Sequence, residues 1–183
     1  IASFSGWSLF GQIAYIGSTS GLNMIINIFC GVLLNAATGI AQQVNSAIYN
    51  FVSNFQTAFN PQLIQTYSSG NLEVHRVLLS RASRISYYLL YIISLPVLIN
   101  TSYILHLWLK EVPDHSVTFT QLIITFSLVE ALGAPLWMSM QATGKIKTYQ
   151  IIVSSINALN IPIAFVCLYQ GLAVESIFYA KIL

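Results

Sequence analysis

The first 72 residues contain no Asp, Glu, Lys, Arg or His. A small soluble domain needs roughly a quarter to a third of its surface charged. A stretch this long without charge therefore has no route to a water-facing surface on both sides. The rest of the chain repeats the pattern on a shorter scale. Charge and histidine are absent again from 85–105, 116–129 and 148–174. Charged residues make up 7% of the chain and the mean hydropathy is +0.72, against about 25% charged in ordinary globular domains. A membrane-spanning helix needs about 20 mostly apolar residues. The first gap holds two such spans and the shorter gaps anchor one each. The expected fold class is an all-α integral membrane protein, a polytopic bundle of about five transmembrane helices.

The spans are expected at about 6–34, 40–67, 85–100, 117–141 and 149–169. Asn35-Ala-Ala-Thr-Gly39 reads as the turn between the first two, because it gathers small and polar residues between apolar runs. Ser68-Ser-Gly-Asn71 ends the second. Residues 72–84 read as a basic amphipathic lead-in, 110–116 as a polar loop, and 143–147 as another. A strand barrel is disfavoured, because its strands alternate apolar and polar residues and the runs here are continuous. The ends of the sequence, Ile1 and the apolar 177–183, lead us to expect a piece of a longer protein.

Basic residues in short loops stay on the cytoplasmic side. Arg76, Arg81, Arg84, Lys145 and Lys147 fall in loops on one side of this topology, and Lys110 on the other. The start of the chain is then cytoplasmic. Trp7, Trp108 and Trp137 lie near span ends, as interfacial aromatics do. A net charge of +2 is too small to suggest a nucleic-acid partner. Cys30 and Cys167 sit in apolar stretches and read as small hydrophobes rather than a disulfide or metal pair. No cofactor or metal motif is found, and no enzyme activity is expected. Gly144-Lys145 lacks the rest of a phosphate-binding loop, and Gly17-Ser-Thr-Ser-Gly21 is not a nucleophile elbow.

The second span is uncharged but not uniformly apolar. Gln42, Ser46, Tyr49, Ser53, Gln56 and Asn60 recur at steps of four and three, which places them on one helical face. Asn50 flanks that face. The first span carries a partner stripe of Gln12, Thr19, Asn23 and Asn27. Buried amides and hydroxyls in hydrocarbon need partners, since an unsatisfied one costs several kcal/mol. Two readings remain: hydrogen-bonded glue between helices, or the wall of a water-filled cavity. The length of the stripe favours the cavity, and its neutral chemistry suits a polyhydroxylated or amide-bearing solute. Glu130 is the one acid within an expected span. Such a residue usually faces the interior, either as an ion-coupling site or as a neutral hydrogen-bonded carboxyl. Gly17 and Gly21 have the spacing of close helix packing. Pro96, Pro135 and Pro162 lie inside spans and mark kinks. Arg76, Arg81 and Arg84 would sit at the cytoplasmic mouth, touching lipid headgroups or an anionic substrate, or serving topology alone.

Three stretches resemble a known family. They are Gly6-Trp-Ser-Leu-Phe-Gly11, then Asn54-Phe-Gln-Thr-Ala-Phe-Asn-Pro-Gln62 running to Tyr67-Ser-Ser-Gly-Asn71, and Gln141-Ala-Thr-Gly-Lys-Ile-Lys147 with Tyr149 and Gln150. In order and spacing they resemble the second half of Wzx-type flippases of lipid-linked oligosaccharides. That superfamily also holds the MATE drug exporters. The resemblance implies two six-helix lobes around a central cavity, with this chain as most of the C-terminal lobe. It implies a bacterial inner-membrane protein that moves a lipid-linked oligosaccharide for O-antigen, capsule or exopolysaccharide assembly by alternating access. The implied partners are that substrate, the bilayer, the N-terminal lobe and the polysaccharide polymerase or export machinery. A MATE-type ion-coupled drug exporter is the alternative. The first two spans depart from the family pattern in lacking cationic cavity residues.

Overall fold

The computed structural model describes residues 2–144, 146–171, 174, 175 and 177, with side chains from residue 5 onward. Lys145 and the terminal stretch 178–183 lie outside the described residues. Five helices follow one another: α1 (Ala2–Ser68), α2 (Leu72–Ile99), α3 (Thr101–Trp108), α4 (Ser116–Thr143) and α5 (Lys147–Tyr169). No strand occurs among the described residues. Four helices are long and apolar enough to cross a membrane. Many of their large apolar side chains point outward, among them Ile13, Met24, Val32, Leu33, Ile92 and Ile156. Such a surface belongs in hydrocarbon rather than water.

α1 holds both of the first two expected spans, and its break is at Gly31 rather than at 35–39. Gly31 has φ 81° and ψ 176°, a region open essentially to glycine alone. A Cβ placed there would meet nothing within 4 Å, so the requirement is conformational, not steric. Tyr15 and Tyr49, at nearly equal separations on either side of Gly31, line one cavity. An unbroken helix would hold them about 50 Å apart at its ~1.5 Å rise per residue. The two arms of α1 therefore fold back on each other at Gly31. The segment expected as a turn is helical because tertiary packing holds it. Ala37 is fully buried in a cluster with Ala41, Phe119 and Ile123. The Thr38 hydroxyl donates to the Leu34 carbonyl at 3.0 Å, so the polar residue is satisfied without leaving the helix.

The other boundaries follow local chemistry. Gly70 takes φ 73° after the last turn of α1, and its N–H donates to the Tyr67 carbonyl at 3.1 Å, a glycine helix stop. Asn71 then caps α2, its side-chain oxygen accepting from the Val74 N–H at 3.3 Å. The expected lead-in and third span are one continuous helix, Leu72–Ile99. Asn100 ends it, donating both its backbone N–H and its Nδ2 to the Pro96 carbonyl. The short α3 was not expected. It starts immediately after this cap, the Asn100 carbonyl accepting from the Ile104 N–H at 3.0 Å. Gly144, at φ 69°, closes α4.

α4 packs against α1, α2 and α3, and α1 also packs against α2 and α5. The central cluster joins Ile48 and Val52 of α1, Leu90 of α2, and Ile124, Leu128 and Ala131 of α4. A second joins Ile26 of α1 to Ala164 and Leu168 of α5. The tightest glycine on α1 is Gly11, where any Cβ would collide with the Gln150 side chain of α5. Of the expected Gly17–Gly21 pair, Gly21 meets Ile161 of α5, whereas Gly17 faces open space. Pro61, Pro96, Pro135 and Pro162 all lie inside helices.

His75 fastens three helices at one end of the bundle. Its Nδ1 lies 3.1 Å from the Leu63 carbonyl of α1 and its Nε2 lies 2.7 Å from the Ser139 hydroxyl of α4. A carbonyl only accepts, so Nδ1 carries the proton and, in the neutral ring, Nε2 accepts from Ser139. The same end gathers Trp7, under the Lys147 ammonium at 5.3 Å, and Trp137, stacked on Tyr149 at 4.9 Å. The α1–α2 and α4–α5 links thus share one end with Arg76 and Lys147. Gly31 marks the opposite end of the α1 hairpin.

Candidate functional site

A cavity of about 490 Å³ opens between the two arms of α1, α4 and α5. Helical spacing builds each wall. Tyr15, Ser18, Thr19 and Asn23 stand at steps of three and four on the first arm. Thr38, Gln42, Asn45, Ser46, Tyr49 and Asn50 do the same on the second. α4 contributes Ser127 and Glu130, and α5 contributes Asn157 and Asn160. Leu22, Ile123, Phe126 and Ile163 add apolar surface to the lining. The volume falls within the about 300–1,000 Å³ usual for ligand sites.

The hydroxyls on these walls are largely spent on the protein. Ser18 donates to the Asn157 carbonyl at 2.6 Å, tying the first arm of α1 to α5. Thr19 donates to the Tyr15 carbonyl at 3.0 Å. The amides are not spent in this way. Asn45 Oδ1 is buried without a protein partner. Asn23, Gln42 and Asn50 remain exposed on the cavity wall. A buried amide left without protein partners is costly unless water or a ligand serves it. The cavity is therefore lined by mostly uncharged polar groups set among apolar ones, and is roomy enough for water. Glu130 is its one carboxyl among the described lining residues. It sits within electrostatic reach of the hydroxyls of Tyr15 and Tyr49.

The expected stripe divides in three. Asn23, Gln42, Ser46, Tyr49 and Asn50 come together on the cavity wall, with Glu130 opposite. Gln56 does not line it. Gln56 is 2% exposed, lies against the Tyr49 hydroxyl, and donates through Nε2 to the Ala131 carbonyl of α4 at 3.4 Å. Gln12, Asn27, Ser53 and Asn60 also lie off the wall. The Ser53 hydroxyl turns back to the Asn50 carbonyl at 3.1 Å, while Gln12 and Asn27 continue the stripe of the first arm on exposed turns. Part of the expected face thus lines the cavity, and Gln56, further along it, bonds to α4.

Arg76, Arg81 and Arg84 lie elsewhere. They occupy a groove on the outer face of α2, and no α2 residue lines the cavity. A further groove of about 640 Å³ between α1 and α5, around Trp7, Phe10 and Ile151, is almost wholly apolar and offers a polar solute little. Two cavity residues, Asn157 and Asn160, escape a reading centred on the first two spans. Their signal is the three-residue spacing of amides in an otherwise apolar helix.

No protein-family model, curated protein or solved structure matches this chain. Its class rests on its own features. The helices are those of a multi-pass membrane protein, and its interior encloses an amide-lined cavity.

Proposed function

We propose that this chain is one lobe of a flippase that carries a lipid-linked oligosaccharide across a bacterial inner membrane. The observation that carries the reading is the neutral, amide-rich cavity of Asn23, Gln42, Asn45, Asn50, Asn157 and Asn160. Sugars present hydroxyls that both donate and accept, and side-chain amides match both roles. Tyr15 and Tyr49 add rings that present an apolar face and a polar tip. The sugar headgroup would pass through this cavity while the lipid tail stays in the bilayer. The second lobe would complete the cavity, and rocking of the two lobes would alternate its access. The arginine-bearing end is the cytoplasmic one by the charge rule, and no covalent step is required. The product would pass to polysaccharide polymerase or export machinery.

Glu130 on the cavity wall favours a second reading, an ion-coupled exporter of cationic drugs. A carboxyl sharing a cavity wall with the hydroxyls of Tyr15 and Tyr49 is suited to hold a proton or a cation. A strain lacking the protein separates the two. The flippase reading predicts loss of surface glycan with drug sensitivity unchanged. Intact glycan with raised sensitivity to cationic drugs supports the exporter instead.

A further inference from the structure

On α2 the residues Arg76, Ser80, Arg84 and Tyr88 follow one another at steps of four, so they form a single stripe. Arg81 and Ile85 stand beside them, and the stripe lines a shallow groove of about 590 Å³. The opposite face of α2, with His75, Ala82, Ser86 and Leu90, is buried. The groove therefore looks outward from the bundle, away from the polar cavity.

Its charge is largely unopposed. Arg76 Nη1 lies 3.7 Å from Glu73 Oε1 in a wide and exposed pairing. Among the described residues no carboxylate pairs with Arg81 or Arg84. Arg84 bends toward the start of the helix, donating through Nη2 to the Ser80 hydroxyl at 3.0 Å and through Nε to the Ser80 carbonyl at 3.4 Å. A long basic side chain takes that course when its stem lies in apolar surroundings and its head seeks the polar boundary. Beyond Arg84, α2 carries no charge to its end at Ile99. The groove thus has a cationic half and an apolar half, divided at Arg84.

We infer that this groove binds the phosphate headgroup of an anionic glycerophospholipid in the leaflet at the arginine-bearing end. The guanidiniums of Arg76, Arg81 and Arg84 meet the phosphate with charge-assisted hydrogen bonds. Ile85 and Tyr88 meet the start of the acyl chains. A soluble phosphate uses only the first half of the groove. The proposed transport substrate, which needs the cavity, has no reason to settle on the opposite face. The site is independent of what the cavity carries.

The test is native mass spectrometry of the detergent-purified protein with phosphatidylglycerol and phosphatidylcholine. The wild type should retain phosphatidylglycerol selectively, and millimolar inorganic phosphate should leave that retention unchanged. Each Arg→Gln substitution should weaken it about fivefold, the weight of one basic residue near an anionic surface, and R76Q/R81Q/R84Q should erase the selectivity. R84K should keep part of it. The three side chains are exposed, and should the triple variant fail to fold, the single variants carry the same test. Equal retention of both lipids by the wild type, unchanged selectivity in the arginine variants, or displacement by inorganic phosphate would each overturn the assignment.

Discussion

Gln56 Nε2 of α1 donates to the carbonyl of Ala131 at 3.4 Å, and Ala131 stands four residues before Pro135 in α4. In an α-helix that carbonyl would receive the N–H of residue 135, which proline lacks. Gln56 therefore supplies the donor that Pro135 removes. The bond also pins the second arm of α1 to α4, one residue from Glu130 and against Tyr49.

Replacing Gln56 by Leu should cost about 1 kcal/mol of stability, the scale of an interhelical bond in a membrane. In a Pro135→Ala background the cost should shrink, because the backbone N–H of residue 135 then serves Ala131. A double-mutant cycle of unfolding free energies reads this coupling directly. Equal costs in the two backgrounds would show that Gln56 does not serve the vacated carbonyl.

Gly31→Ala should destabilise the protein by about 1–3 kcal/mol, since alanine is strained at φ 81° and ψ 176°. Gly39→Ala should be neutral or stabilising by up to about 1 kcal/mol, because Gly39 is helical with open space around its Cβ position. Thermal unfolding of the two variants checks where the α1 hairpin turns. The opposite order would return the turn to 35–39.

His75→Leu should lower stability by about 1–3 kcal/mol, because Ser139 and Leu63 lose a buried partner. Ser139→Ala should cost less, and should cost almost nothing once His75 is Leu. Additive losses in the unfolding cycle would mean that the two side chains act separately.

The spans were legible because charge is placed so sparsely, and its long gaps fall largely within the four apolar helices. The break in α1 was not. Asn35, Thr38 and Gly39 have turn chemistry, yet Ala37 between them is buried against Phe119 from a distant helix, a tertiary influence no local pattern carries. Half of the candidate site was legible for a similar reason. Periodicity placed Gln42, Ser46, Tyr49 and Gln56 on one face, but it does not say how far along that face a neighbouring helix closes. The proline-orphaned carbonyl that draws Gln56 out of the cavity lies on α4. His75 was overlooked because it falls within a basic exposed stretch, while the face it occupies is the buried one.

If the cavity is wet, a cysteine at Asn50 should react with a membrane-impermeant thiol reagent, after Cys30 and Cys167 are changed to Ala. A cysteine at Met24, on the outward apolar face, should not. Equal protection of both positions would make the cavity a dry, packed interface.

The most direct test replaces Gln42, Tyr49 and Asn50 together by Leu and measures translocation of lipid-linked oligosaccharide in cells, at matched protein levels. These three line the cavity and carry none of the hydrogen bonds that join α1 to α4 or α5. A sugar path predicts that translocation, and with it surface glycan, falls by about tenfold or more, since each lost polar contact to substrate is worth about 0.5–1.5 kcal/mol. Undiminished translocation by the triple variant would contradict it.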